Sequence, residues 1–282
     1  MQSAYLPEIA GYFGRFAQKM RTALANQKGD CYITDILVGN TQGGTVMELL
    51  VPPPRKGENN RAYACRVLRM NIMTLRLQPG EPLNENELSG LLHMSRTPVH
   101  EAVATLHNDW LVEIFPQRGT RVSRIDPALV KEGYSTRLLL EGALLRDAAG
   151  KIGRDQVQQL LDCMRRQEEL NDRLPDAVDE FIQLDDEFHR LMYFFGGRGH
   201  TWLAIRGLVS HYDRLRYLDA LDGECDYSRV IEQHRAFCDY LLMGLPDGVE
   251  PAQAVGAHLT SFRGNLMAKM SRHPGYFTLQ SI

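Results

Sequence analysis

The chain has 282 residues, of which 44% are apolar and 24% charged, with a formal net charge of −3; this excludes a disordered polyelectrolyte and leaves room for two domains with cores of their own. No uninterrupted apolar stretch reaches the roughly 18 residues of a membrane span, and no charged-then-apolar leader opens the chain, so neither a span nor a secretion signal is expected and the expected location is the cytoplasm. Cys31, Cys65, Cys163, Cys225 and Cys238 are odd in number, scattered and never spaced C-x-x-C, which argues against a disulfide framework or a thiolate zinc site.

Charge is unevenly placed. Residues 55–124 hold ten Lys or Arg against seven Asp or Glu, and residues 1–54 hold four of each. With −3 overall, residues 125–282 therefore carry −6. A basic segment joined to an acidic one suggests two jobs, the first on a polyanion.

Residues 1–54 have no assigned role. "LPEIAGYFGRFAQKMRTALANQ" reads as an amphipathic helix, and "CYITDILV" and "TVMELLV" as strands around the Gly-rich "NTQGG". "PPPRKGENN" follows as an extended linker.

Residues 61–76 repeat apolar side chains at Ala64, Val67, Leu68 and Ile72, predicting a helix ended by Pro79 and Gly80. A second helix runs from Glu85 to Leu92 with Leu88, Leu91 and Leu92 inward. After a turn at His93 and Met94, Ser95 caps a third helix, which buries Val99, Ala102, Val103 and Leu106. "LVEIF" and "TRVSR" then read as strands around "PQRG", where Gly119 permits a tight turn. Helix, helix, helix, hairpin is a winged helix-turn-helix over residues 55–125. In that arrangement the third helix enters the major groove N-terminus first, which places Arg96, Thr97 and His100 at base edges. Arg96 suits a bidentate contact to guanine, while Arg118 and Arg121 on the wing suit the phosphate backbone.

The stretch "LQPGEPLNENELSGLLHMSRTPVHEAVATLHNDWLVEIFPQRGTRV" resembles the winged helix of the GntR transcriptional regulators. Two departures stand out. His100 occupies a place where that family usually has Arg, so a different operator or a pH-dependent affinity is expected. Asn86 stands where some members have Arg.

Residues 126–282 read as an all-helical bundle, with helices near 127–149, 154–171, 178–195, 200–218, 227–244 and 250–270. The expected fold class is thus mainly α, a winged helix-turn-helix followed by a helical effector domain. The inward stripe of 178–195 is Phe181, Leu184, Asp185, Phe188, His189 and Met192. That of 227–244 is Val230, Ile231, His234, Phe237, Cys238 and Leu241, and that of 250–270 is Val255, His258, Leu259, Phe262 and Leu266. A lone inward His is more often a hydrogen-bonded core residue than a ligand. Here four such polar groups lie on three helices, and an unpaired buried Asp185 would cost several kcal/mol. One divalent metal held by Asp185, His189, His234 and His258 removes that cost. Zinc is the first expectation, with nickel, manganese and iron left open by the ligand set.

"LDDEFHRLM", "EQHRAF" and "GAHLTSF" resemble segments of the FCD effector domain of the FadR-like branch of the GntR family. The resemblance implies a divalent metal at the matching Asp and three His, with a small carboxylate effector beside it. "STRLLLEGAL" resembles that domain's first helix, which implies that Arg137 faces the pocket and pairs with the effector. A structural pair between Arg137 and Glu141 is the equal alternative. His200 stands where members commonly have Asn, and the spacing from His234 to His258 is longer than usual. His211 is expected to pack or face solvent, and Tyr212, Arg214 and Arg216 are weaker pocket candidates.

The expected mechanism is a homodimer whose recognition helices meet the two half-sites of a pseudo-palindromic double-stranded DNA operator, with effector binding at the metal setting their spacing. Two alternatives remain at this point: a metal enzyme built on the same Asp and three His, and a regulator whose metal is purely structural. No motif holds an additional base near the ligands, so no enzymatic activity is expected.

Overall fold

A computed structural model describes residues 36–38, 49–174, 176–260 and 266–278. The helix expected in "LPEIAGYFGRFAQKMRTALANQ" lies outside them. Strands β1 (Ile36–Val38) and β2 (Leu49–Val51) pair antiparallel, Leu37 opposite Leu50. Leu49 is buried with the residues of the next segment. Asn71 fastens this edge, accepting from the Leu50 N–H at 2.8 Å and donating to the Leu50 carbonyl at 2.9 Å.

Helix α1 (Asn60–Met73) starts where Asn59 accepts the Ala62 N–H, which satisfies one of the donors a helix start leaves over. Helix α2 (Glu85–Leu91) is capped in the same way by Asn84, and α3 (Arg96–Asn108) buries Val99, Ala102, Val103 and Leu106. Ser95 sits at the N-cap of α3 with an extended backbone, but its hydroxyl makes no capping bond; the expected side-chain cap is absent and the hydroxyl stays exposed. Strands β4 (Val112–Phe115) and β5 (Gly119–Val122) form the wing. A two-residue strand β3 (Pro82–Leu83), too short to carry a periodic signal, pairs with the other edge of β5. Gly119, at φ +96°, opens β5 in the left-handed region that glycine tolerates.

The bundle begins at α4 (Pro127–Ala148), where Asp126 accepts the Ala128 N–H and Pro127 occupies the first turn. It continues through α5 (Arg154–Leu170), a 3-10 turn at Asn171–Arg173, and α6 (Val178–Phe195). The helix expected over 200–218 is two, α7 (Gly199–Ile205) and α8 (Ser210–Leu221). The break covers residues 206–209, which periodicity does not show, and within it the winged helix comes close: a Cβ on Gly207 would stand 3.0 Å from Asp109 Oδ1. Helix α9 (Tyr227–Met243) follows. The single helix expected over 250–270 is α10 (Pro251–Leu259), with Thr260 as its C-cap, and α11 (Leu266–Arg272), with residues 261–265 outside the described set.

Two buried clusters result, one under the winged helix around Leu68, Val99, Leu106 and Val122, and one in the bundle around Phe181, Phe188, Tyr193, Leu215 and Phe237. Leu75, just past α1, belongs to the second. Gly133 of α4 lets α8 approach closely, since a Cβ there would stand 3.0 Å from Tyr212 Cβ.

Candidate DNA-reading face and metal centre

Ser95, Arg96, Thr97 and His100 all lie exposed along the start of α3, as the core stripe on the other side of the helix requires. Arg118 and Arg121 are exposed on the wing, and Arg121 donates to the Gly80 carbonyl at 3.3 Å. His100 Nδ1 stands 3.2 Å from both Glu85 carboxylate oxygens. A duplex phosphate would therefore compete with Glu85 for this ring, a contact that the sequence did not suggest.

In the bundle the four inward polar groups converge. Asp185 and His189 lie one turn apart on α6, His234 on α9 and His258 on α10, all essentially inaccessible to solvent. One ligand atom from each lies within 4.8 Å of the others. Each imidazole turns its Nδ1 outward toward an oxygen: His234 to Gln167 Oε1 at 2.9 Å, His258 to Gln233 Oε1 at 3.2 Å, and His189 to Glu141 Oε2 at 3.2 Å. The Gln contacts place the proton on Nδ1 and leave Nε2 bare, the tautomer that metal ligation needs.

Two of the inner atoms lack partners of their own. His234 Nε2 and Asp185 Oδ1 lie 3.4 Å apart, and neither has a hydrogen-bond partner. His189 Nε2 and His258 Nε2 face each other at 2.9 Å. With both Nδ1 protonated, two lone pairs would meet there, an arrangement that a shared cation relieves. Burial, followed by the neighbouring imidazoles, holds His258 well below the ordinary histidine range, and burial with His189 does the same to His234. Burial raises the Asp185 carboxyl against the opposing pull of Arg216 and His189. Three imidazoles beside one carboxylate are a donor set suited to a borderline divalent ion, so the residues present fit a metal.

Around this centre lies a shell of buried charge. Arg137 Nε donates to Glu141 Oε1 at 2.7 Å, so the structural pair is present, while its Nη2 has no hydrogen-bond partner. Burial would raise Glu141, but Arg137 and His189 outweigh it and hold the carboxyl at about 2. Arg216 donates to Asp185 Oδ2 at 2.9 Å and to Asp186 Oδ1 at 2.5 Å. Sequence reasoning gave Arg216 little weight and missed Glu141, Gln167 and Gln233 as partners of the imidazoles. One signal was available: Gln167 continues the inward stripe of Leu160, Cys163 and Met164 on α5, and a polar residue at an inward position asks for a partner. Two other candidates fall elsewhere. His200 is exposed at the start of α7, and His211 packs against the winged helix instead of lining the centre.

Comparison with known proteins agrees with this geometry. Residues 62–122 match the family described as bacterial regulatory proteins, gntR family, and residues 132–261 match the FCD domain. The HTH-type transcriptional repressor RspR of Escherichia coli (strain K12) is 34% identical over 199 residues, covering 71% of this chain and 85% of that protein. The chain belongs to the GntR family. Another relative, an uncharacterized HTH-type transcriptional regulator in an unstable DNA locus of Streptomyces ambofaciens, is also 34% identical, over 67% of this chain and 78% of its own length. Among solved structures, E. coli McbR/YncC shares the fold at a TM-score of 0.60 and 16% identity, over 77% of this chain and 99% of its own. A GntR regulator from Rhodococcus sp. RHA1 gives a TM-score of 0.55 at 19% identity. This GntR-family chain is a DNA-binding transcriptional regulator, a winged helix-turn-helix joined to an FCD domain, and not an enzyme. No helix among its described residues is long and apolar enough to cross a membrane.

Proposed function

We propose that this GntR-family regulator binds a pseudo-palindromic double-stranded DNA operator as a homodimer, and that a divalent metal with a small carboxylate effector in its FCD domain controls that binding. Its DNA-reading domain spans residues 55–125 and its metal and effector domain residues 126–282, with residues 1–54 unassigned. Ser95, Arg96, Thr97 and His100 read the major groove, with Arg118, Gly119 and Arg121 of the wing on the backbone. Asp185, His189, His234 and His258 hold the metal, zinc first among candidates. The observation that carries the reading is the convergence of three Nε2 atoms and Asp185 on one point, while each Nδ1 faces an outer oxygen. A metal bound there supplies a Lewis-acidic seat for an anion.

Arg137 donates through Nε to Glu141, the residue that stands 3.2 Å from His189, and its buried Nη2 has no hydrogen-bond partner; a guanidinium nitrogen of this kind suits an effector carboxylate. A second copy of the chain is the expected partner. Leu139 on α4, Phe194 on α6 and Leu203 on α7 remain 72%, 62% and 69% exposed. These helices adjoin through Leu144 against Gly196 and through the Asp147–Arg198 ion pair, and exposed apolar surface of this kind suits a subunit interface. A purely structural metal is the second reading, favoured by the internal engagement of Arg137 Nε and Arg216.

Calorimetry of zinc-loaded and chelator-stripped protein against small carboxylic acids separates the readings. Binding that requires zinc and is lost in Arg137→Met supports the sensor. Saturable zinc binding with no carboxylate response supports the structural metal, and no zinc binding refutes both.

A further inference from the structure

Residues 266–278 lie beyond the stretch that matches the FCD domain, which ends at residue 261. Their sequence, "LMAKMSRHPGYFT", gathers Lys269, Arg272 and His273 within five residues, a run that would ordinarily face solvent. Lys269 is instead wholly buried.

Its seat is acidic. The Lys269 ammonium stands 3.1 Å from Asp219 near the end of α8, and 2.6 Å from Asp222 and 3.0 Å from Glu224 in the turn that follows. Arg272 donates to Asp222 at 3.2 Å and to Glu224, and His273 Nε2 lies 3.2 Å from both Asp222 oxygens. Burial opposes the charge on Lys269, but Asp222 and Glu224 outweigh it and hold the ammonium above its ordinary range. Helix α11 has only seven residues and would not persist alone; a buried cation among three carboxylates gives it a fixed point.

From that seat the chain turns, with the Tyr276 N–H donating to the His273 carbonyl at 2.9 Å, and runs against the linker. Four residues separate Val122, the last of β5, from Pro127, the first of α4, and they too lie outside both family matches. Ile125 among them is fully buried, in the bundle cluster and not in that of the winged helix, and Phe277 is buried in the same cluster. The tail grips Ile125 on both sides. The Ile125 N–H donates to the Tyr276 carbonyl at 2.8 Å and the Thr278 N–H donates to the Ile125 carbonyl at 3.0 Å, a parallel bridge between Ile125 and Phe277. Arg124 adds a third tie through Nε to the Gly275 carbonyl at 3.2 Å.

A bare four-residue linker would let the winged helix turn about it. Two copies on one operator must set their recognition helices into major grooves about 34–36 Å apart, or a multiple of that, and play at the linker is magnified at a helix that lies a whole domain away. We propose that residues 266–278 form a clasp that sets the half-site spacing this regulator reads. Lys269 seats the clasp in the socket of Asp219, Asp222 and Glu224, and the Tyr276–Thr278 backbone locks Ile125, so these are positioning residues for operator recognition. The proposal rests on the two-half-site reading given above and is independent of the metal.

Two measurements on the full chain test it together: hydrogen exchange at the Ile125 amide, and binding to duplexes that repeat one half-site, recovered by genomic selection, at graded spacings. In the wild type one spacing is expected to dominate and the Ile125 amide to be protected with the core. In Lys269→Met that amide is expected to exchange about tenfold faster and neighbouring spacings to be bound nearly as well as the best, while affinity for a single half-site is unchanged. Lys269→Arg, which keeps the cation, restores part of both. Should Lys269→Met not fold with three carboxylates left without their cation, Thr278→Pro removes the N–H given to the Ile125 carbonyl, leaves the socket intact and is expected to act in the same way. Faster exchange with an unchanged spacing preference overturns the proposal, as does unchanged exchange at Ile125 in the variants. A wild type that binds every spacing alike overturns the two-half-site reading, and the proposal with it.

Discussion

Replacing Asp185 with Asn tests the metal centre with almost no change of shape. In the stripped protein Asp185 Oδ1 and His234 Nε2 are buried acceptors without partners, each costing about 1–3 kcal/mol. A metal that engages both returns about 2–6 kcal/mol, and by mass action a stabilisation near 4 kcal/mol corresponds to free zinc at about a thousand times Kd. At about 2–4 °C per kcal/mol for a unit of this size, zinc is expected to raise the wild-type Tm by about 8–16 °C. The Asp185→Asn change keeps an oxygen but removes the one anionic ligand; a hundredfold loss of affinity corresponds to about 2.7 kcal/mol and reduces the zinc-induced shift to about 3–5 °C. Differential scanning calorimetry of both proteins, stripped and at fixed free zinc, reads the difference. Comparison of the zinc-induced shifts cancels whatever the substitution does to the metal-free fold, including the altered partner of Arg216. Equal shifts in the two proteins, or none in the wild type, would refute the assignment.

Three further outcomes are expected. Arg96→Ala weakens binding to an operator recovered by genomic selection by about 1–3 kcal/mol and relaxes base preference, whereas Arg118→Ala weakens all sequences alike and lowers the salt slope by about one; the reverse pattern in mobility-shift titrations would exchange their roles. Burial and Arg214 hold His211 at about 3, against the ordinary 6.5, so the unfolded chain binds a proton that the folded chain refuses. The stability from His211 is therefore complete above about pH 6.5 and falls by about 1.4 kcal/mol per unit as pH drops toward 3. Urea midpoints of zinc-loaded protein should lose about 2 kcal/mol less in His211→Gln than in wild type between pH 6.5 and 5, and parallel slopes would contradict the buried neutral ring. Leu139→Asp combined with Leu203→Asp should yield monomers by light scattering with the helical content intact, and a persistent dimer would move the subunit interface elsewhere.

Much of this protein is legible in one dimension because its decisive patterns are local. The stripe Val99, Ala102, Val103 and Leu106 turns Arg96, Thr97 and His100 outward by helical geometry alone. Asp185 and His189, four residues apart, must share the inward face of α6 with Phe181 and Phe188 for the same reason. Where expectation and structure part, a contact distant in sequence is responsible. The helix expected over 200–218 is broken over residues 206–209, where Asp109 of the winged helix comes so close to Gly207 that a Cβ there would stand 3.0 Å from its Oδ1. Strand β3 exists only because β5 offers it an edge, and Leu49, read as part of an unassigned extension, is buried in the winged-helix core.

Sequence by itself determined which residues face inward and which outward on each helix, since the period of a helix is a property of the backbone. Only the tertiary structure decided which inward polar groups meet: that Gln167 and Gln233 orient two of the imidazoles while Glu141 stands 3.2 Å from the third, and that His211 and Arg214 turn toward the wing while Arg216, on the same helix, turns toward the metal centre. Those choices depend on how separate helices are docked against one another, and no repeat within a single helix encodes the position of its neighbours.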